Sequence, residues 1–177
     1  SQYLSRCYNT MGNMFSIMGQ KKKGILFLRK SLSSNEKFAK GRVRQLNYIN
    51  NCLVLGNIYF KSKQYDSADL YWDLANRECS DSDKFIYEKG FIAINMAKLS
   101  LARNENQKAL QYLEDFEGLA SQNKLDYILC YLYLRKGRAF AKLNRESDAH
   151  ESFASGLLLA KENGYLPIEL RILKQQA

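Results

Sequence analysis

The chain has 177 residues and a mass of 20.5 kDa, room for one compact domain or a short repeat array and too little for a multidomain machine. Hydrophobic residues at 46% against charged residues at 25% exclude wholesale disorder, while a formal charge of +9 raises an acidic partner or nucleic acid. One Thr, two Val and one Pro stand against 25 Leu and 14 Ala, which excludes a β-rich fold and predicts an all-α one.

In chain order, apolar periodicity predicts helices over 2–18, 22–37, 42–61, 65–79, 84–103, 107–122, 126–143 and 146–163, with a ninth over 167–176. Turn chemistry marks several boundaries. Ser80-Asp81-Ser82-Asp83 offers N-cap oxygens ahead of the fifth helix, and Asn104-Glu105-Asn106 makes the turn after it. Asn163-Gly164 is a left-handed stop, and Pro167 suits the first turn of the last helix. The longest apolar run, Tyr127 to Leu134, is eight residues and falls far short of a membrane span.

One pattern occurs four times. Tyr8-x-x-Met11-Gly12-x-x-Phe15 precedes Gly24-x-x-x-Leu28 and Ser31; Cys52-x-x-Leu55-Gly56-x-x-Tyr59 precedes Ala68-x-x-x-Trp72 and Ala75. Ala93-x-x-Met96-Ala97-x-x-Ser100 precedes Ala109-x-x-x-Leu113 and Phe116; Tyr133-x-x-Lys136-Gly137-x-x-Phe140 precedes Ala149-x-x-x-Phe153 and Gly156. The two small residues are always 12 apart (12 to 24, 56 to 68, 97 to 109, 137 to 149). Small residues let two antiparallel helices approach, and the Leu or aromatic knobs fill the space beside them.

These motifs resemble the tetratricopeptide repeat, a helix-turn-helix unit with the same small and large positions, over nearly the whole chain. The copies step by 44, 41 and 40 residues where the family uses 34, and none has the family's terminal Pro. The resemblance implies a right-handed α-α superhelix of four helix-turn-helix repeats, over 2–38, 42–80, 84–123 and 126–163, plus a terminal helix over 166–177. The whole of 1–177 is then one solenoid domain, expected to be a piece of a longer chain because it lacks an initiator Met. The last helix either caps the stack or opens a fifth repeat, the latter being favoured.

The resemblance also places the concave binding face on the first helix of each pair. Carried over, it puts Arg6, Asn9, Asn13 and Ser16 on that face in repeat one, and Asn50, Leu53, Asn57 and Phe60 in repeat two. Phe91, Ile94, Asn95, Lys98 and Leu101 follow in repeat three, and Tyr131, Leu134, Arg135, Arg138 and Lys142 in repeat four. Asn13, Asn57, Lys98 and Arg138 form one row, and amides in such a row suit the backbone of an extended peptide. Leu53, Ile94 and Leu134 make an apolar row beside it. The alternative is that these side chains only cover neighbouring helices. The family's carboxylate clamp is not reproduced, since Asn9 stands where Lys is expected and Val54 where Asn is expected.

The positive charge is uneven. Residues 1–65 hold 12 bases and one acid, Glu36, whereas 66–177 hold 15 bases and 17 acids. Lys21, Lys22, Lys23, Arg29, Lys30, Lys40, Arg42 and Arg44 form a basic surface, expected to be a solvated face or a docking patch for an acidic partner or nucleic acid. Chemistry-bearing motifs are missing: there is no P-loop, GxSxG or HExxH, and His150 is the one histidine, so neither catalysis nor a metal or other cofactor is expected. Cys7, Cys52, Cys79 and Cys130 lie among apolar helical neighbours and are expected to be buried free thiols, which favours a cytoplasmic setting and leaves a periplasmic one open. The expected function is a non-catalytic scaffold or sensor that holds a protein or peptide segment. The resemblance implies that it could work within a bacterial signalling or transcriptional regulator, beside an output domain.

Overall fold

The computed structural model describes residues 2–79 and 83–176. Among them are nine α-helices and no strand: α1 (Gln2–Ile17), α2 (Lys21–Phe38), α3 (Gly41–Lys61), α4 (Tyr65–Cys79), α5 (Ile86–Ala102), α6 (Asn106–Gln122), α7 (Asp126–Lys142), α8 (Glu146–Glu162) and α9 (Leu166–Gln176). Every boundary lies within two residues of the periodicity-based expectation. A 3-10 turn over Asp83–Phe85 leads into α5, and the cap expected from Ser80, Asp81 and Ser82 lies outside the described residues.

The turns are built alike. Gly19, Lys63, Asn104 and Asn144 all have positive φ, and each stands seven residues after the first small residue of its repeat. In each case the next N–H donates back to the carbonyl five residues earlier: Gln20 to Phe15 at 2.8 Å, Gln64 to Tyr59 at 3.0 Å, Glu105 to Ser100 at 2.8 Å and Arg145 to Phe140 at 3.0 Å. That is the Schellman closure, which satisfies a helix's last carbonyls and turns the chain in two residues. Lys124 and Gly164 repeat it between α6 and α7 and between α8 and α9, with Leu125 donating to Ala120 and Tyr165 to Ala160. No side-chain cap is made at Gln20, Glu105, Leu125 or Arg145.

The chain forms two compact units, residues 1–92 and 93–177. In the first, α1 packs on α2, α3 packs on α4, and both α1 and α2 pack on α3. Leu28, Leu55 and Ile58 make its core, flanked by Ile25, Leu32, Val54, Tyr59 and Tyr71. In the second, α7 packs on α6 and α8, and α9 packs on α8 and α7. Ile168 and Ile172 of α9 are fully buried and lie 40 residues after the equally buried Ile128 and Leu132 of α7.

The small–large pairing is physical. A β-carbon on Gly12 would stand 2.6 Å from Leu28 Cγ, one on Gly56 would collide with the Trp72 indole, and one on Gly137 with the Phe153 ring. Each knob lies 16 residues after its glycine, and in the third copy Ala97 and Leu113 are both fully buried. Lys136 stands at the repeat position held by Leu55 in the second copy, and its ammonium bonds Glu117 Oε2 of α6 at 2.7 Å. The pairing offsets the burial of a cation at a helix–helix seam.

Two expectations are corrected. Cys7 is exposed, because it lies on the side of α1 away from α2 and α3; the other three cysteines are buried and free. Leu53, Ile94 and Leu134 are buried, at 7%, 5% and 1% exposure, so they belong to the core and do not line a surface.

Candidate functional site

In the first unit the polar residues of α1 and α3 divide between an internal seam and the surface. Ser31 Oγ of α2 donates to the Ser5 carbonyl at 2.7 Å and accepts from Asn51 Nδ2 at 2.9 Å. Asn51 Nδ2 also donates to the Asn47 carbonyl at 2.7 Å, and Asn51 Oδ1 accepts from Asn9 Nδ2 at 3.2 Å. Asn47 Nδ2 reaches Asn35 Oδ1 at 3.2 Å, and Asn35 Nδ2 reaches the Arg44 carbonyl at 2.9 Å. Ser5, Ser31, Asn35, Asn47 and Asn51 are buried, so the network fixes the register of three helices.

Asn9 is thereby drawn into a seam that the sequence reading missed. The available signal was the i, i+4 pair Asn47 and Asn51, facing the core side of α3 while Asn50 faces away. Asn13 is exposed, and Asn50 and Asn57 are half-buried. Phe60 packs on the rings of Tyr65 and Trp72, at 5.4 and 5.8 Å between centroids.

Several of the basic residues of the first unit make contacts of their own. Lys21 donates to Gln64 Oε1 at 2.6 Å and lies over the Tyr59 ring. Lys23 covers Phe15, Lys30 covers Tyr8 and Phe27, and Arg42 covers Phe85 while bonding the Lys84 carbonyl. The lysines shield the half-buried rings of Tyr8, Phe15, Phe27 and Tyr59, whereas Phe85 under Arg42 is buried. Lys22, Lys23, Arg29, Lys30, Lys40, Arg42 and Arg44 are exposed, and Lys21 is half-buried.

In the second unit α7 and α9 present one continuous polar face. Tyr131, Arg135 and Arg138 lie at i, i+4 and i+7 on α7, and Arg171 and Gln175 at i and i+4 on α9. Arg171 Nη1 donates to Tyr131 Oη at 3.3 Å, with its guanidinium 5.8 Å from that ring's centroid; Arg138 Nε donates to Gln175 Oε1 at 2.7 Å. Tyr131 also meets Tyr127, their hydroxyls 3.4 Å apart, and Tyr127 stands edge-on to Tyr165. Burial, with the Tyr127 hydroxyl, pushes the Tyr131 phenol up to about 12, so it stays a neutral donor.

Arg135 Nε is buried with no hydrogen-bond partner. Burial, and then the charges of Arg138 and Arg171, bring its guanidinium down to about 10; burial and Arg171 lower Arg138 as well.

Of the other expected positions, Asn95 is buried and Lys98 half-buried on α5. Lys142 is not a groove residue: its ammonium caps the end of α5, donating to the Leu101 carbonyl at 2.9 Å and Asn104 Oδ1 at 3.1 Å. A cleft of about 380 Å³ is bounded by Ala141, Glu146, Ala149, His150, Phe153 and Gln175. Among the described residues no three His, Cys, Asp or Glu side chains gather as a metal would require, and no helix is long and apolar enough to cross a membrane.

The family model of the tetratricopeptide repeat matches residues 5–38, the α1–α2 pair. The ancillary SecYEG translocon subunit of Buchnera aphidicola subsp. Acyrthosiphon pisum (strain APS) is 26% identical over 151 residues, covering 80% of this chain and 74% of that protein. No solved structure matches the chain.

Proposed function

We propose that this chain, a tetratricopeptide-repeat array, is a protein-interaction scaffold that holds an extended protein segment on the polar face of α7 and α9 in its second unit. The observation that supports this most directly is the shared face of α7 and α9. Tyr131 and Arg171 occupy the same repeat position 40 residues apart, as do Arg135 and Gln175, and hydrogen bonds join the two helices along that row. A face ordered by its own contacts loses little side-chain freedom when a ligand docks. The likeness to an ancillary translocon subunit favours an accessory role, in which the array engages another protein and does no chemistry. The regulatory setting implied by the sequence rests on resemblance alone.

Selection from a random dodecapeptide display library, followed by amide shift mapping with an enriched peptide, tests the reading. Perturbations should concentrate on positions of the α7–α9 face such as Tyr131, Arg138, Arg171 and Gln175. Perturbations confined to exposed second-helix positions such as Asp115 and Glu151, or no enrichment, would remove it.

A further inference from the structure

We propose that the occupant of the α7–α9 face is an acidic protein segment, whose side-chain carboxylates are received by Arg135, Arg138 and Arg171. The inference rests on the protein-binding reading of that face and adds the chemistry of the partner.

Acids outnumber bases over residues 66–177, 17 to 15, and several cations of the second unit have a definite partner. Lys136 pairs with Glu117 at 2.7 Å, Arg145 with Asp148 at 2.6 Å and Lys108 with Glu105 at 3.2 Å, and Lys142 caps α5. The three arginines have no acid of their own. Among the described residues none is ion-paired, and the charges that lower Arg135 and Arg138 are those of other arginines. Gathering like charges on a partly desolvated face is unfavourable in the free protein, and a buried guanidinium Nε with no acceptor adds to that cost.

An incoming carboxylate relieves both at once. The guanidinium fork matches a carboxylate with two parallel N–H donors, and the oxygens bring the missing charge and the missing acceptors. Tyr131, kept protonated, adds a hydroxyl. Gln175 and Tyr131 accept from Arg138 and Arg171 and hold their side chains in place, leaving their remaining N–H groups for a ligand. Donors spread along α7 and across to α9 suit several carboxylates on an extended chain better than one compact anion.

Fluorescence anisotropy with labelled hexaglutamate tests this. The wild-type protein should bind it, and the affinity should fall as sodium chloride rises. Arg135→Met, Arg138→Gln and Arg171→Gln together should weaken binding at least tenfold, whereas Lys22→Gln with Lys40→Gln should leave it within twofold. Arg135→Met alone should raise the melting temperature while weakening binding, because it removes an unneutralised charge; this separates lost recognition from lost folding. Absent hexaglutamate binding, unchanged binding by the triple variant, or capture of a phosphoserine peptide in preference to hexaglutamate would overturn the assignment. Library-selected peptides that lack acids, map to the α7–α9 face and ignore the arginine substitutions would overturn it and leave the protein-binding reading standing. Hexaglutamate held by the arginines while library peptides map to second helices would support it and remove the broader reading.

Discussion

The indole of Trp72 closes over the α-carbon of Gly56 so tightly that no β-carbon fits between them, and Trp72 Nε1 donates to the Leu53 carbonyl at 3.4 Å across the same seam. The pair joins α3 to α4, and Gly137 with Phe153 repeats it between α7 and α8. These contacts state in atoms why the sequence repeats a small residue and a knob 16 positions apart.

Gly56→Ala and Gly137→Ala should each destabilise by about 1–3 kcal/mol, since the ring must leave its place in a packed core. Gly118→Ala should do the opposite and stabilise by about 0.5–1 kcal/mol: Gly118 lies within α6, its β-carbon would meet nothing within 4 Å, and the change reduces the freedom of the unfolded chain. Urea titration of the three variants checks the contrast in sign.

Asn51→Leu should cost about 1–3 kcal/mol, because it strands Asn9 Nδ2 and removes two donor contacts, to Ser31 and the Asn47 carbonyl, inside a buried network. Asn13→Ala, at an exposed position of α1, should change stability by less than about 0.5 kcal/mol. Equal effects in chemical denaturation would show that the seam does not fix helix register.

Lys63 and Lys124 hold positive φ on exposed turns, a conformation that costs a side-chain-bearing residue and not glycine. Lys63→Gly and Lys124→Gly should each be stabilising by a net amount on the order of 0.5 kcal/mol, after the extra freedom glycine gives the unfolded chain. A fall in melting temperature for both would contradict this.

Under native conditions one thiol, Cys7, should react promptly with a maleimide, and all four should react after denaturation. Burial pushes the thiols of Cys52, Cys79 and Cys130 up to about 11 from an ordinary value of 9.0. The unfolded chain therefore loses these protons at lower pH than the folded one. Stability from this source is fully present below about pH 9 and is lost as pH rises towards 11. Denaturation midpoints measured from pH 8 to 11 should fall, and a flat profile would refute the burial-driven shift.

Much of the candidate site was legible only in outline. The sequence placed Tyr131, Arg135 and Arg138 on one face of α7, because helical periodicity alone does that. It also placed Asn9, Asn13 and Asn57 on first helices, yet Asn9 turns out to serve the internal seam, and Lys142 a helix end. Arg171 escaped notice because it lies on a helix outside the four recognised copies.

Helix boundaries, repeat phase and the glycine–knob pairs were determined by the sequence itself, because each depends on spacings of seven, 12 or 16 residues within one helix pair. Whether a polar side chain is spent or available was decided only by the tertiary structure. Periodicity assigns a residue to a face, but its partner comes from a helix about 20 to 40 residues away, whose register depends on how whole helices pack. Asn51 finds Asn9 and Ser31 in this way, and Arg135 finds Arg138 and Arg171 with no acid among them.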